Sequence, residues 1–119
     1  TLFIKERREI MDGKLKDWVI VKCLRVYKNS LPLGGKDRII NFWKIFTILS
    51  EPYSKTYIEN VRSLFKKYLP ERLNKVGGYS EVRGAIDHYD SKKKGYDLGK
   101  VSEEMKDCVE KILLKIINE

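Results

Sequence analysis

Apolar residues return every three or four positions along most of this chain, the period of an amphipathic α-helix. Leu2 to Met11 reads as a short charged helix ended by Gly13. Between Lys14 and Tyr27, Leu15, Trp18, Val19, Lys22 and Val26 follow three- and four-residue steps, with Ile20 and Cys23 beside the stripe. That spacing predicts a helix, although the β-branched run Val19-Ile20-Val21 also suits a strand. Pro32 and Gly34-Gly35 break the pattern, and Asp37 then falls in a first turn, where a carboxylate complements the helix dipole. From Ile39 to Leu49 the chain is apolar on most sides, which predicts a central helix.

Glu51-Pro52 breaks the chain again, and Ser54 is a candidate N-cap for a helix over Lys55–Tyr68. This helix should bury Tyr57, Ile58, Val61, Leu64, Phe65 and Tyr68, and Pro70 ends it. Two turn clusters around Gly77-Gly78 and Gly95 flank a short helix near Glu81–Tyr89. Ser102, followed by Glu103 and Glu104, is predicted to cap a last helix striped with Met105, Cys108, Val109, Ile112, Leu113 and Ile116. The expectation is an all-α fold, a single compact domain of about five or six helices over residues 1–119. There are no repeats and no low-complexity segments.

Length and composition fit that expectation, since 119 residues with 42% hydrophobic and 11% aromatic content can build one core without staples. The net charge of +8 adds something the pattern does not, a bias towards polyanionic partners. A Lys-rich surface serving only solubility is the plainer reading of the same charge. No stretch of eighteen apolar residues and no secretory signal pattern occurs, so the expectation is a cytoplasmic protein with no membrane partner. The chain starts at Thr1 rather than Met, which reads as a shortened N-terminus.

Two cysteines, Cys23 and Cys108, and one histidine, His88, do not make a four-ligand zinc site or a cluster site. No metal site is expected, and both thiols, lying in apolar helical stretches, are expected to be buried and free. No G-x-S-x-G elbow, Cys–His signature or Walker loop is present: Gly34-Gly35-Lys36 lacks the first glycine and the hydroxyl. Asp87 and Asp90 could share a helix face, but a solvated face explains them. The expectation is a chain without catalytic residues, hence not an enzyme.

Three clusters instead suit binding. In "SLPLGGKDRIINFWKIF", Lys36 and Arg38 sit where free backbone N–H groups open a helix, a combination that attracts anions. A turn followed by a solvated first turn accounts for the same residues. On the next helix Lys55, Arg62 and Lys66 form one stripe at i, i+7 and i+11, interrupted by Glu59, with Lys67 and then Arg72 as further cations of this basic face. The third cluster, "YSEVRGAIDHYDSKKKGY", alternates aromatics with cations: Arg83, His88, Tyr89, the run Lys92 to Lys94, and Tyr96. Rings that stack on bases and cations that hold phosphates suit single-stranded nucleic acid. Tyrosines packed down onto the core are the alternative.

The order of these features resembles the C-terminal domain of the archaeal and eukaryotic primase large subunit. In that family a cysteine starts a short helix, a His-Gly-Gly/Ala-Arg corner opens a long apolar helix, and a Tyr-x-x-x-His-like segment with a Gly-Tyr loop follows. "CLRVYKNSLPLGGKDRIINFWKIF" looks like the first part, with Cys23, Gly34, Gly35 and Lys36 at corresponding places. "YSEVRGAIDHYDSKKKGY" looks like the second, with His88 and Tyr96 at roughly matching places. Leu33 stands where the family has its His, Lys36 where it has its Arg, and the four cluster cysteines are missing. Over most of its length, from Trp18 onward, the chain looks like the PriX family, the cluster-less, non-catalytic accessory subunits of archaeal primase.

The resemblance implies a domain without an iron–sulfur cluster that binds a nucleoside triphosphate and single-stranded template DNA to start primers. Its partners would be the primase catalytic and large subunits, in a heterotrimer. By the same carry-over Lys36 and His88 would face the nucleotide, and Arg38 is added by its place two residues along. Two other functions remain open. One is a helical DNA-binding module such as the core-binding domain of a tyrosine recombinase, which "SKTYIENVRSLFKKYL" resembles. The other is a helical scaffold subunit of a multiprotein complex.

Overall fold

A helix that is apolar nearly all round must be wrapped by its neighbours, and the second helix of the fold is wrapped in this way. In the computed structural model, which describes residues 17–50, 57–87 and 95–119, five α-helices and one 3-10 helix occur and no strand is present among those residues. The helices are α1 (Asp17–Ser30), α2 (Gly35–Ser50), α3 (Tyr57–Tyr68), α4 (Val76–Asp87) and α5 (Leu98–Ile117). A 3-10 turn, Pro70–Lys75, joins α3 to α4. Packing contacts join α2 to each of the four other α-helices. Ile39, Phe42, Ile45 and Phe46 of α2 are fully buried.

Aromatic side chains organise this centre. The Phe46 ring meets Phe65 of α3 edge-on with centroids 5.0 Å apart, and Trp43 meets Phe46 edge-on at 6.3 Å. Tyr27 of α1 stacks on Phe42 at 6.2 Å, and its hydroxyl donates to Glu110 Oε1 of α5 at 2.9 Å. Edge-on and offset rings add to the burial of their large apolar areas. The stripe on α5 is buried as its spacing predicts: Met105, Cys108, Val109, Ile112, Leu113 and Ile116 all face the core. Cys23 and Cys108 are free and buried, as their apolar surroundings implied.

Several boundaries differ from the sequence reading. On α1 the buried stripe is Val19, Cys23 and Ser30, while Trp18 is exposed; the face towards α2 and α5 lies one residue beyond the stripe drawn through Trp18. The helix that should start near Glu81 starts at Val76 and runs through Gly77-Gly78. Val76, Tyr79, Val82 and Ile86 are buried at helical spacing, and that packing outweighs a propensity cost of about 1 kcal/mol per glycine.

The last helix is capped by Asp97, whose Oδ1 accepts from Lys100 N at 3.1 Å, and not by Ser102. Ser102 lies buried inside α5, its hydroxyl donating to Gly99 O at 2.8 Å. The expected Leu2–Met11 helix and the Ser54 cap lie outside the described residues. Among the described residues no helix is long and apolar enough to cross a membrane.

The two glycines before α2 have different roles. A Cβ on Gly35 would stand 3.0 Å from Leu98 O and 3.1 Å from Leu98 C, so the start of α2 touches the backbone at the start of α5. A Cβ on Gly34 would meet nothing within 4 Å. Gly35→Ala should therefore destabilise the fold by about 1–3 kcal/mol through overpacking against backbone that cannot turn aside. Gly34→Ala should change stability by less than about 0.5 kcal/mol, as surface substitutions do. Urea unfolding of the two variants checks this, and equal effects would contradict the contact.

Candidate nucleic-acid interface

One strip of α2 escapes the wrapping. Lys36, Ile40, Lys44 and Thr47 recur at the helical repeat, and Lys36 and Lys44 are exposed. Beside this strip α4 presents Ser80, Arg83 and Gly84 at i, i+3 and i+4. Between the helices lies an open groove of about 450 Å³ lined by Ile40, Trp43, Lys44, Thr47, Ser80, Arg83 and Gly84.

The groove combines unlike chemistries. Ile40 and the outer edge of Trp43, which is only 9% exposed, form an apolar floor. Edge-on packing on Phe46 fixes the indole, so this wall is pre-formed. Lys44 and Arg83 supply cations from opposite walls, and Thr47 and Ser80 supply hydroxyls. Thr47 donates its own hydroxyl to Lys44 O at 2.8 Å, which leaves its oxygen as an acceptor. Gly84 keeps the α4 wall low, since a Cβ there would meet nothing within 4 Å.

The sequence-predicted residues divide among several places. Arg83 lines the groove, and Lys36 extends its α2 wall by one helical turn. Arg38 is turned the other way and clasps the fold: its Nε donates to Ser30 O at 3.3 Å, Nη2 donates to Leu31 O, and Nη1 pairs with Glu103 at 2.9 Å. Ser30 O, which also accepts from Leu33 N at 3.1 Å, and Leu31 O just past α1 thus gain side-chain donors at the helix C-terminus.

Arg62 pairs with Glu59 at 2.7 Å and reaches α4, its Nη2 being 3.6 Å from where a Cβ on Gly77 would stand. Lys66 is exposed one turn further along α3, and neither residue lines the groove. Tyr96 directs its hydroxyl onto Glu81 Oε1 at 2.7 Å and so ties the approach of α5 to α4. His88, Tyr89 and the Lys92–Lys94 run lie outside the described residues.

Trp43, Lys44, Thr47 and Ser80 were not foreseen as site residues. Lys44 carried one signal, as the single charge inside an apolar run, eight residues from Lys36 on the same face. The thiols do not contribute: burial raises Cys23 to about 11 and moves Cys108 upward too, so both are protonated at neutral pH. Among the described residues no group of three His, Cys, Asp or Glu side chains is arranged to hold a metal.

The clasp sets one expectation. Arg38→Ala should cost about 1.5–3 kcal/mol, the range for hydrogen bonds made by a charged donor. Glu103→Ala, which removes only an exposed ion pair, should cost less than about 1 kcal/mol. Thermal unfolding of both variants tests this, and equal losses would mean that the carbonyl contacts contribute little.

No family model, no curated protein and no solved structure matches the chain.

Proposed function

We propose that the chain is a non-catalytic accessory subunit of a DNA primase, which holds an initiating nucleoside triphosphate and single-stranded template in the groove between α2 and α4. The groove itself is the observation that carries this reading, because one open slot joins an aromatic and apolar floor to cations on two walls. A base would lie over Ile40 and the Trp43 edge, with Ser80 and Thr47 near its rim. Phosphates would run along α2 towards Lys36. At 1.5 Å per residue, Lys36 lies about 10 Å up the helix from Trp43, near the positive end of the α2 dipole.

The +8 charge of the chain supports an anionic ligand and adds long-range attraction. Catalysis would belong to the partner subunits, and this chain's share is binding and positioning. Arg38 has a reduced part in this reading, since its guanidinium is occupied by the end of α1.

The test is a pair of charge reversals, Lys36→Glu and Arg83→Glu, made in the whole chain. Both should weaken binding of a short oligo(dT) and of nucleoside triphosphate by about tenfold or more, and the double variant should lower the salt slope by about 1.4, that of two phosphate contacts on a single strand. Mixed with the catalytic and large primase subunits, the variants should lose primer initiation and keep extension of a supplied primer. Equal effects on both steps, or on neither, would overturn the assignment. Tight, salt-steep binding of duplex with no nucleotide affinity would favour the recombinase-type module instead.

A further inference from the structure

On another face, sharing no lining residue with the nucleotide groove, α1 and α5 leave apolar side chains in water. Leu24 is 40% exposed, Leu114 58% and Ile117 49%, although each sits on a helix whose opposite side is buried. Together with Tyr27, Leu113 and Glu110 they line a groove of about 230 Å³. Val21, 50% exposed, lies one turn before Leu24 on α1 and continues the apolar strip. A contiguous exposed apolar strip between two helices is the form that receives a third helix.

The charges around the groove limit what that helix can be. Glu110 is the one acid in the lining, and it is already shared by the Tyr27 hydroxyl at 2.9 Å and Lys106 at 3.7 Å. Lys28 lies one turn beyond Leu24 and is exposed, as is Arg25 beside it. On the α5 side Lys111 directly follows Glu110 and is exposed, its ammonium 3.1 Å from Asp107, a carboxylate that Arg72 of the 3-10 turn also holds at 3.2 Å. The rim is thus cationic around an apolar floor. A second copy of this chain would bring like charge onto like charge, between molecules that each carry +8.

We infer that the α1/α5 groove docks an amphipathic helix of a partner protein, with a leucine-type stripe in the groove and acidic residues on the flanks facing Lys28 and Lys111. The stripe would sit on Leu24, Leu114 and Ile117 at i, i+3 or i+4, and i+7 spacing. The acidic flanks would set orientation and association rate more than affinity. This inference is independent of the nucleotide reading, because none of the residues it uses lines that groove.

The probe is a fluorescein-labelled 16-residue peptide with leucines at those spacings and glutamates on its flanks, titrated into the full 119-residue chain and followed by anisotropy. Saturable binding is expected. A version with lysines in place of the glutamates should bind about tenfold more weakly, and Leu114→Glu with Ile117→Glu should cost at least about tenfold. Lys28→Glu serves as a second variant that leaves the apolar floor intact, and it should weaken only the acidic peptide. Equal binding of both peptides, or of neither, would overturn the inference. So would a concentration-dependent dimer abolished by Leu114→Glu, or binding that arises only after residues 1–16 are removed, since either would give the groove a different occupant.

Discussion

The constraint behind the rest of the structure is the burial of α2. Its apolar residues occupy almost every direction around the axis, so no two-layer packing could cover them, and four helices must close on it at once. The helix starts of α2 and α5 come close enough that a side chain at Gly35 would press on the backbone of Leu98. Arg38 then fastens the end of α1 to the same corner. With these sides covered, a strip through Lys36, Ile40, Lys44 and Thr47 reaches solvent, and the flank of α4 turns part of it into a groove. The groove is thus a consequence of how the core closes.

The Gly-Gly corner illustrates how one local pattern can serve two ends. Read along the chain, Gly34 to Arg38 look like a turn aimed at phosphate. In three dimensions Gly35 answers to close backbone packing, and Arg38 answers to the carbonyls of Ser30 and Leu31 where α1 ends. Lys36 is the residue of the corner whose position favours a ligand, since it stands on the groove side of the helix. Physical chemistry thus separates adjacent cations that a sequence motif treats alike.

The central place of α2 and the buried face of α5 were legible, because both follow from periodicity over long segments. Element starts were harder. Gly77-Gly78 reads locally as a turn, and only the burial of Val76 and Tyr79 where α4 packs on α2 and α3 keeps that stretch helical. Asp97 prevailed over Ser102 as the cap because a helix begun at Leu98 can set its first residues against Gly35. Of the site, Lys36 and Arg83 were named from sequence, yet the placing of Arg83 beside the α2 strip rests on the α2–α4 contact, which no local pattern encodes. Trp43 had no signal of its own, since a tryptophan in an apolar helix reads as core, and nine-tenths of it is core. The exposed Leu114 and Ile117 were hidden for a similar reason, lying on a helix whose other face drew the attention.

Two faces of the domain therefore carry separate chemistry: a cationic groove with an aromatic floor between α2 and α4, and an apolar groove with a cationic rim between α1 and α5. Backbone amide chemical shifts, followed by NMR while oligo(dT) or nucleoside triphosphate is added to the whole chain, test the division most directly. The account predicts that the largest changes fall on Lys36, Ile40, Lys44 and the stretch from Ser80 to Gly84, with Leu24, Leu114 and Ile117 unmoved. Changes centred on Arg62 and Lys66 of α3, or spread evenly over all exposed lysines, would contradict it.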